Sequence, residues 1–201
     1  RVNGIQAKEL GVEELATLTS KPLSKIVSHV ILWSDNDVAD RLAKAVTRQL
    51  GNPTSGKGLT ETYRSELGKL AINTQGLVIK DGSGLSKANR VSPRTIVELL
   101  KYIRHQPKFS AIYDGLPISG ETGTLVKRFE KAPAAISHVH AKTGWINRSV
   151  TMAGYAESGE NEYVFAILAD GITPTLRARN AARRAMDKLL ESVVIGNHQT
   201  P

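Results

Sequence analysis

The chain has 201 residues, 40% of them apolar and 23% charged, which excludes global disorder and leaves enough sequence for one domain with a real core. Its 27 Lys and Arg against 19 Asp and Glu give a net charge of +8 and a pI near 9.8. That balance favours an anionic partner (nucleic acid, a membrane surface or an acidic wall polymer) without choosing among them. The absence of cysteine excludes a disulfide framework and any thiolate metal site. No stretch approaches the roughly 18 apolar residues of a membrane span. The chain begins at Arg1 with no apolar signal segment, as expected of a mature chain or of one cut from something longer.

Residues 1 to about 20 form a weakly patterned lead-in with Gly4 and Gly11. A helix is predicted from Pro22 to Trp33, where Ile26, Val27, Val30 and Ile31 recur at helical spacing and Pro22 suits a first turn. It halts at Ser34-Asp35-Asn36. A second stripe of Val38, Leu42, Ala45, Val46 and Leu50 follows and is closed by Gly51. After the flexible loop Asn52 to Gly58, Thr60 to Ile72 reads as a third helix. Leu77-Val78-Ile79 is expected to be a short strand, and Asp81-Gly82-Ser83-Gly84-Leu85-Ser86 a set of turns. Ser92-Pro93 then caps and opens a helix that runs to about His105.

Shorter helices are expected over Phe109 to Leu116 and Leu125 to Lys131. From Ile136 the apolar period changes to two, predicting strands at Ile136 to Lys142, Ser149 to Ala156 and Tyr163 to Ala169. Asn147 and Ser158-Gly159-Glu160-Asn161 supply the turns of an antiparallel meander. Thr173-Pro174 opens a final helix to about Val194, with Leu176, Ala181, Ala185, Leu189, Leu190 and Val193 expected to face inward. Helices, then strands, then a closing helix is an α+β layout, helices packed on an antiparallel sheet. The polar residues 197–201 form a tail.

Two short motifs carry chemistry, Ser34-Asp35-Asn36 and Lys142-Thr143-Gly144. Each alone is an ordinary helix cap or strand end. In this order, on an interhelical turn and at a strand end, they match two of the three signature elements of serine β-lactamases and penicillin-binding proteins. The third, an S-x-x-K nucleophile, is absent: no Ser in the chain is followed three residues later by Lys. The nearest misses are Thr54 to Lys57 and Thr124 to Lys127.

Acyl transfer by a serine enzyme needs a nucleophile, a nearby base, a proton route to the leaving group and an oxyanion hole. Ser34 and Lys142 suit a proton relay, because a hydroxyl beside an ammonium can pass a proton between oxygen and leaving nitrogen. Asn36 offers an amide to a substrate backbone or a neighbouring Lys. Thr143 can grip a substrate carboxylate, Gly144 lets substrate backbone approach, and the Trp145 N–H can donate to an oxyanion. The nucleophile is expected to lie in another segment.

Further stretches extend the match: Pro22 to Val27, Asp81 to Ser86 with Asn89 to Pro93, Leu116 to Gly120 with Gly123 to Phe129, and Ala153-Gly154-Tyr155. On these the chain resembles the C-terminal part of the D-alanyl-D-alanine carboxypeptidase/endopeptidase family, the class C low-molecular-mass penicillin-binding proteins, over about residues 20 to 195. The resemblance implies a serine β-lactamase/DD-peptidase-like fold and hydrolysis of peptidoglycan stem peptides through an acyl-enzyme. It also implies β-lactam binding, a location outside the cytoplasmic membrane, and no metal or organic cofactor. In such enzymes the S-x-x-K helix precedes a large inserted region. Residues 1–20 would then be the return from that insert and 21–196 the C-terminal part of the penicillin-binding domain. By the family's pattern Ser34, Asn36 and Lys142 line the catalytic cleft and Thr143 binds the substrate carboxylate. Trp145 departs from it, standing where the family usually has Thr or Ser, so a side-chain hydroxyl contact is lost while the N–H remains.

Other readings rank lower. His138 and His140 share a strand face with Lys142, yet the sequence offers no third ligand for zinc nearby. Asp81-Gly82-Ser83-Gly84 lacks the Gly two residues before Ser that a nucleophile elbow needs, so it is read as a tight turn. Arg177, Arg179, Arg183, Arg184 and Lys188 make the last helix basic. With 5% aromatic residues and no recognition motif, a solvated face is expected there and no nucleic-acid partner. A β-lactamase would need a deacylating Glu in an E-x-x-L-N-like loop, which Glu66 to Leu70 does not supply. The alternatives to the peptidase are a non-catalytic relative that binds without turnover and a basic module that binds nucleic acid or another anionic polymer.

Overall fold

The structure, a computed structural model, describes residues 16–196. Most of the expected lead-in (residues 1–20) and the whole tail (197–201) lie outside the described residues. Six α-helices and a three-stranded antiparallel sheet, in the order β1-β2-β3, make up the described part. The helices are α1 (Leu23–Trp33), α2 (Asn36–Gln49), α3 (Gly56–Lys69), α4 (Pro93–Arg104), α5 (Ser110–Asp114) and α6 (Leu176–Ile195). The strands are β1 (Val139–Ile146), β2 (Ser149–Ser158) and β3 (Asn161–Ala169).

The sheet separates two apolar layers, and the period of two in β2 makes this possible. Val150, Met152 and Ala156 point to one face, where they join Leu125, Phe129, Val139, Ala141, and Met186 and Leu190 of α6. Ala153 and Tyr155 point to the other, where they meet Leu100 and Ile103 of α4, Leu116, and Ile112 and Tyr113 of α5. Fully buried Tyr155 keeps its hydroxyl satisfied by donating to the Leu100 carbonyl at 2.8 Å, which avoids the cost of an unpaired buried donor.

Several boundaries differ from the sequence reading. α3 starts at Gly56 rather than Thr60. Leu77-Val78-Ile79 forms no strand but a single bridge, Val78 to Arg90: two residues of pairing cannot propagate a ladder across the turn between them. Leu125 to Lys131 is not a helix; a 3-10 turn at Gly123–Leu125 is followed by irregular chain in which Phe129 takes φ 67° and is buried. Phe129 fills the core from a left-handed backbone, which a helix would not permit. β1 starts at Val139 and runs on to Ile146, so Lys142-Thr143-Gly144 lies within the strand rather than at its end.

The inward face of α6 is also corrected. Ala182, Met186, Leu190, Val193 and Val194 pack against the sheet, whereas Leu176 and Leu189 are exposed and so are Ala181 and Ala185. The true stripe follows i, i+4, i+8 from Ala182, rotated by one residue, about 100°, from the expected one. Arg179 and Arg183 are half-buried, so the helix is not the uniformly solvated basic face that its composition suggested.

One ion pair ties α6 to the chain entering the sheet. Arg128 donates from a terminal nitrogen to Asp187 Oδ1 at 2.5 Å, from Nε to Oδ2 at 3.1 Å, and to the Arg183 carbonyl at 3.2 Å. Its side chain is 12% exposed and that of Asp187 11%. Asp187→Ala strands a buried guanidinium, with an expected loss of about 3–5 kcal/mol in urea unfolding. Replacing both partners together with apolar residues of similar size is expected to lose much less. Equal losses for the single and double variants would contradict this account.

Candidate active site

The first wall of the site is the turn between α1 and α2. Ser34 ends α1 in a left-handed conformation (φ 59°, ψ 50°), and its N–H donates to the Val30 carbonyl. Asp35 caps α2, its Oδ1 accepting from the Val38 N–H at 3.0 Å. The two caps fix adjacent residues and leave the Ser34 side chain free to point away. Asn36 is the first residue of α2 and half-buried. Its side chain makes no hydrogen bond to Ser34 or Lys142 among the described residues.

α1 is held in place by close backbone approach. A Cβ on Gly115 would lie 2.6 Å from Ser28 Cα, and one on Gly123 would lie 2.5 Å from the Leu32 carbonyl oxygen. Ser28 Oγ also donates to the Ala111 carbonyl at 2.9 Å. These contacts set α1 on α5 and the 3-10 turn, which carries Ser34 to β1.

The second wall is β1. Val139 and Ala141 face α6, so His140 and Lys142 face the helical side, where His140 stacks on Tyr113 with ring centroids 5.3 Å apart. Lys142 Nζ donates to Ser34 Oγ at 2.8 Å and to its neighbour Thr143's carbonyl at 2.8 Å. An ammonium has three donors, so one remains for a substrate. Burial pushes the Lys142 ammonium down to about 8 from 10.5, because the charged form loses hydration. Such a group can hold or release a proton near neutral pH.

Thr143 points to the opposite face, its hydroxyl 3.0 Å from that of Thr124. Thr124 stood out in the sequence only as a near miss for S-x-x-K, with Lys127 three residues on; its contact with Thr143 carries no signal there. Gly144 has a use beyond an open backbone: a Cβ there would sit 2.5 Å from Thr151 Oγ1 on the paired strand. Trp145 is 55% exposed, with the Arg179 guanidinium 4.4 Å from its ring centroid. This contact between distant segments was not legible in the sequence.

The Asp81 turn braces the α2 side. Asp81 Oδ1 accepts from the N–H groups of Ser83 and Gly84 at 2.9 and 2.7 Å, and Oδ2 from that of Ser86 at 2.8 Å. Burial raises the proton affinity of this carboxyl, but the bonds from Ser83, Ser86 and Gly84 outweigh it and hold it below the usual range. The Gly82 N–H reaches Asp40 of α2 at 2.9 Å. Ser83 is thereby locked in the turn, not presented as a nucleophile. Glu157 lies 3.8 Å from His138 and 3.9 Å from His140, an acidic neighbour not evident in the sequence. No group of three such side chains is arranged to hold a metal among the described residues.

A half-buried lysine joined to a serine across an interhelical turn and a sheet edge, in the order S-D-N then K-T-G, fits the class of penicillin-binding serine hydrolases. The family model of the D-Ala-D-Ala carboxypeptidase 3 (S13) family matches residues 2–193, and the chain belongs to that family. It is 34% identical over 179 residues to a D-alanyl-D-alanine carboxypeptidase of an Actinomadura species, covering 85% of this chain and 32% of that protein. It is 31% identical over 173 residues to the carboxypeptidase DacB of Mycolicibacterium smegmatis, covering 83% of this chain and 38% of the relative. The crystal structure of penicillin binding protein 4 (dacB) from Haemophilus influenzae superposes with a TM-score of 0.75 at 26% identity, over 94% of this chain and 47% of that one. The chain thus spans about a third of the length of the curated relatives it matches.

The lysine's titration has a signed consequence for stability. Its folded pKa, about 8, lies below the ordinary 10.5, so folding carries a penalty below pH 8 that fades as pH rises, where only the unfolded chain still binds the proton. Relative to Lys142→Met, the native chain is expected to gain roughly 3 kcal/mol between pH 7 and pH 11. Urea unfolding of both at each pH measures this. A pH-independent difference would contradict it.

Proposed function

We propose that this chain is the C-terminal part, over residues 21–196, of the penicillin-binding domain of a serine-type D-Ala-D-Ala carboxypeptidase. It acts on peptidoglycan stem peptides and is acylated by β-lactams. The observation that carries this reading is the 2.8 Å bond from Lys142 Nζ to Ser34 Oγ. The nucleophile is supplied by an S-x-x-K segment of the same protein outside this chain. The helix α1 supports that: for all its Leu, Ile and Val, none of its residues is buried, and it presents an apolar surface beside the site for such a segment to cover.

In this reaction the nucleophilic hydroxyl attacks the carbonyl between the two D-Ala residues, and its proton goes to the basic partner of its own segment. The tetrahedral oxyanion is met by the Trp145 N–H and the nucleophile's own backbone N–H. Collapse of that intermediate breaks the C–N bond. Ser34 passes a proton to the departing amine and recovers one from the ammonium side of the relay, where Lys142 holds the hydroxyl in line. Asn36 orients the peptide backbone, Thr143 takes the terminal carboxylate, and Gly144 keeps the strand edge open. Water then releases the acyl group. No metal or organic cofactor takes part. Such peptides lie outside the cytoplasmic membrane, and so would this protein; no described helix is long and apolar enough to cross a membrane.

In the full-length protein, Lys142→Ala is expected to slow penicillin acylation and D-Ala release ten- to a hundred-fold. Losing a charged hydrogen-bond partner costs about 1.5–3 kcal/mol. Arg184→Ala, on the exposed side of α6, is expected to leave both rates unchanged. Wild-type rates in Lys142→Ala would refute the assignment.

A further inference from the structure

Beyond the Lys142 side of β1 lies a second feature that the reaction above does not use. Thr143 and Trp145 share the α6 face of the strand, roughly 7 Å apart along it. Trp145 is exposed where Val139 and Ala141, further back on that face, are core. Arg179, in the first turn of α6, lays its guanidinium 4.4 Å from the centroid of the indole. The Arg179 Nε is buried and has no hydrogen-bond partner, the single such side-chain atom among the described residues. A buried N–H of a charged group without an acceptor is costly in a folded protein, and the stacked indole offsets part of that cost.

Ring and guanidinium line a cavity of about 140 Å³ at the β1–β2 turn, together with Asn147, Arg148, Thr173 and Thr175. Two arginines and no carboxylate face it. Its volume accommodates a carboxylate with the carbon that bears it.

We propose that this cavity is a carboxylate-binding subsite for the peptide substrate, with Arg179, held on the Trp145 ring, as its donor. The inference rests on the reading of the cleft as a peptide-hydrolase site and names a specificity residue for it. The guanidinium offers its terminal nitrogens as planar donors that match a carboxylate. Stacking on the indole fixes the plane of those donors before substrate arrives and adds a cation–π contact. Trp145 in place of a hydroxyl-bearing residue thus exchanges a short neutral donor on the strand for a longer, charged one from α6. The carboxylate can be the substrate's terminus or an acidic side chain further along the peptide.

The test uses the full-length protein and three versions of one acylated peptide ending in D-Ala-D-Ala and carrying one acidic side chain: free, amidated at the terminus, and amidated at the side chain. Arg179→Gln is expected to raise KM for the free peptide about tenfold with kcat within about twofold, as loss of one charge-assisted bond implies. Amidation at the group that Arg179 reads is expected to abolish the difference between variant and wild type, while amidation at the other leaves it. That contrast identifies which carboxylate is bound. Arg177→Ala, an exposed neighbour, serves as control.

A second measurement needs no turnover. In the full-length protein, the Arg179 guanidinium N–H NMR resonance is expected to shift on titration with N-acetyl-D-alanine, or with acetate if the side-chain group is the ligand, and not with N-acetyl-D-alanine amide. An unmoved resonance, or an Arg179→Gln defect equal for all three peptides, would overturn the subsite and leave the hydrolase reading intact. Absence of D-Ala release by the wild type, with the resonance still shifting, would instead count against the hydrolase reading alone.

Discussion

One hydrogen bond joins the two walls of the site: the ammonium of Lys142, within β1, donates to the hydroxyl of Ser34 at the end of α1. Every larger feature bears on it. The sheet fixes Lys142 through its cross-strand pairing with Ala153, and the packing of α1 against Gly115 and Gly123 fixes Ser34. A buried lysine is unfavourable unless its donors are used. Here two are used within the chain, and burial lowers the proton affinity of the group toward neutral pH.

The surroundings divide the labour by strand face. Residues of β1 facing the helices bring Lys142 to Ser34 and stack His140 on Tyr113. Residues facing α6 first fill the core with Val139 and Ala141, then open into Thr143 and Trp145 toward solvent and Arg179. The strand therefore places the Lys142–Ser34 pair on one side and the Trp145–Arg179 stack on the other within four residues. The Asp81 turn, satisfied by its own backbone and tied to Asp40, acts as a brace for α2 and leaves no reactive serine.

Where local chemistry decided the structure, the sequence was informative. Ser92 and Pro93 marked the start of α4 because a hydroxyl cap and a fixed φ act within one turn. The change of period after Ile136 located the meander, and Ser34-Asp35-Asn36 fell on the interhelical turn as its residue types required. Where tertiary packing decided, it was not. Phe129 in a left-handed backbone, the rotation of the α6 stripe by one residue, and the seating of Arg179 on Trp145 each depend on partners tens of residues away. The Thr124–Thr143 contact is of the same kind. Motif order pointed to Lys142 and Ser34 together; only the fold supplies their separation.

The central claim is that Ser34 and Lys142 act as one unit. A double-mutant cycle on penicillin acylation in the full-length protein, with Ser34→Ala, Lys142→Ala and the pair, tests this most directly. Groups that act as a unit lose most of their effect with the first deletion. The double variant is therefore predicted to be no more than about threefold slower than the slower single variant. Rate losses that multiply across the two substitutions would show independent roles and contradict the relay.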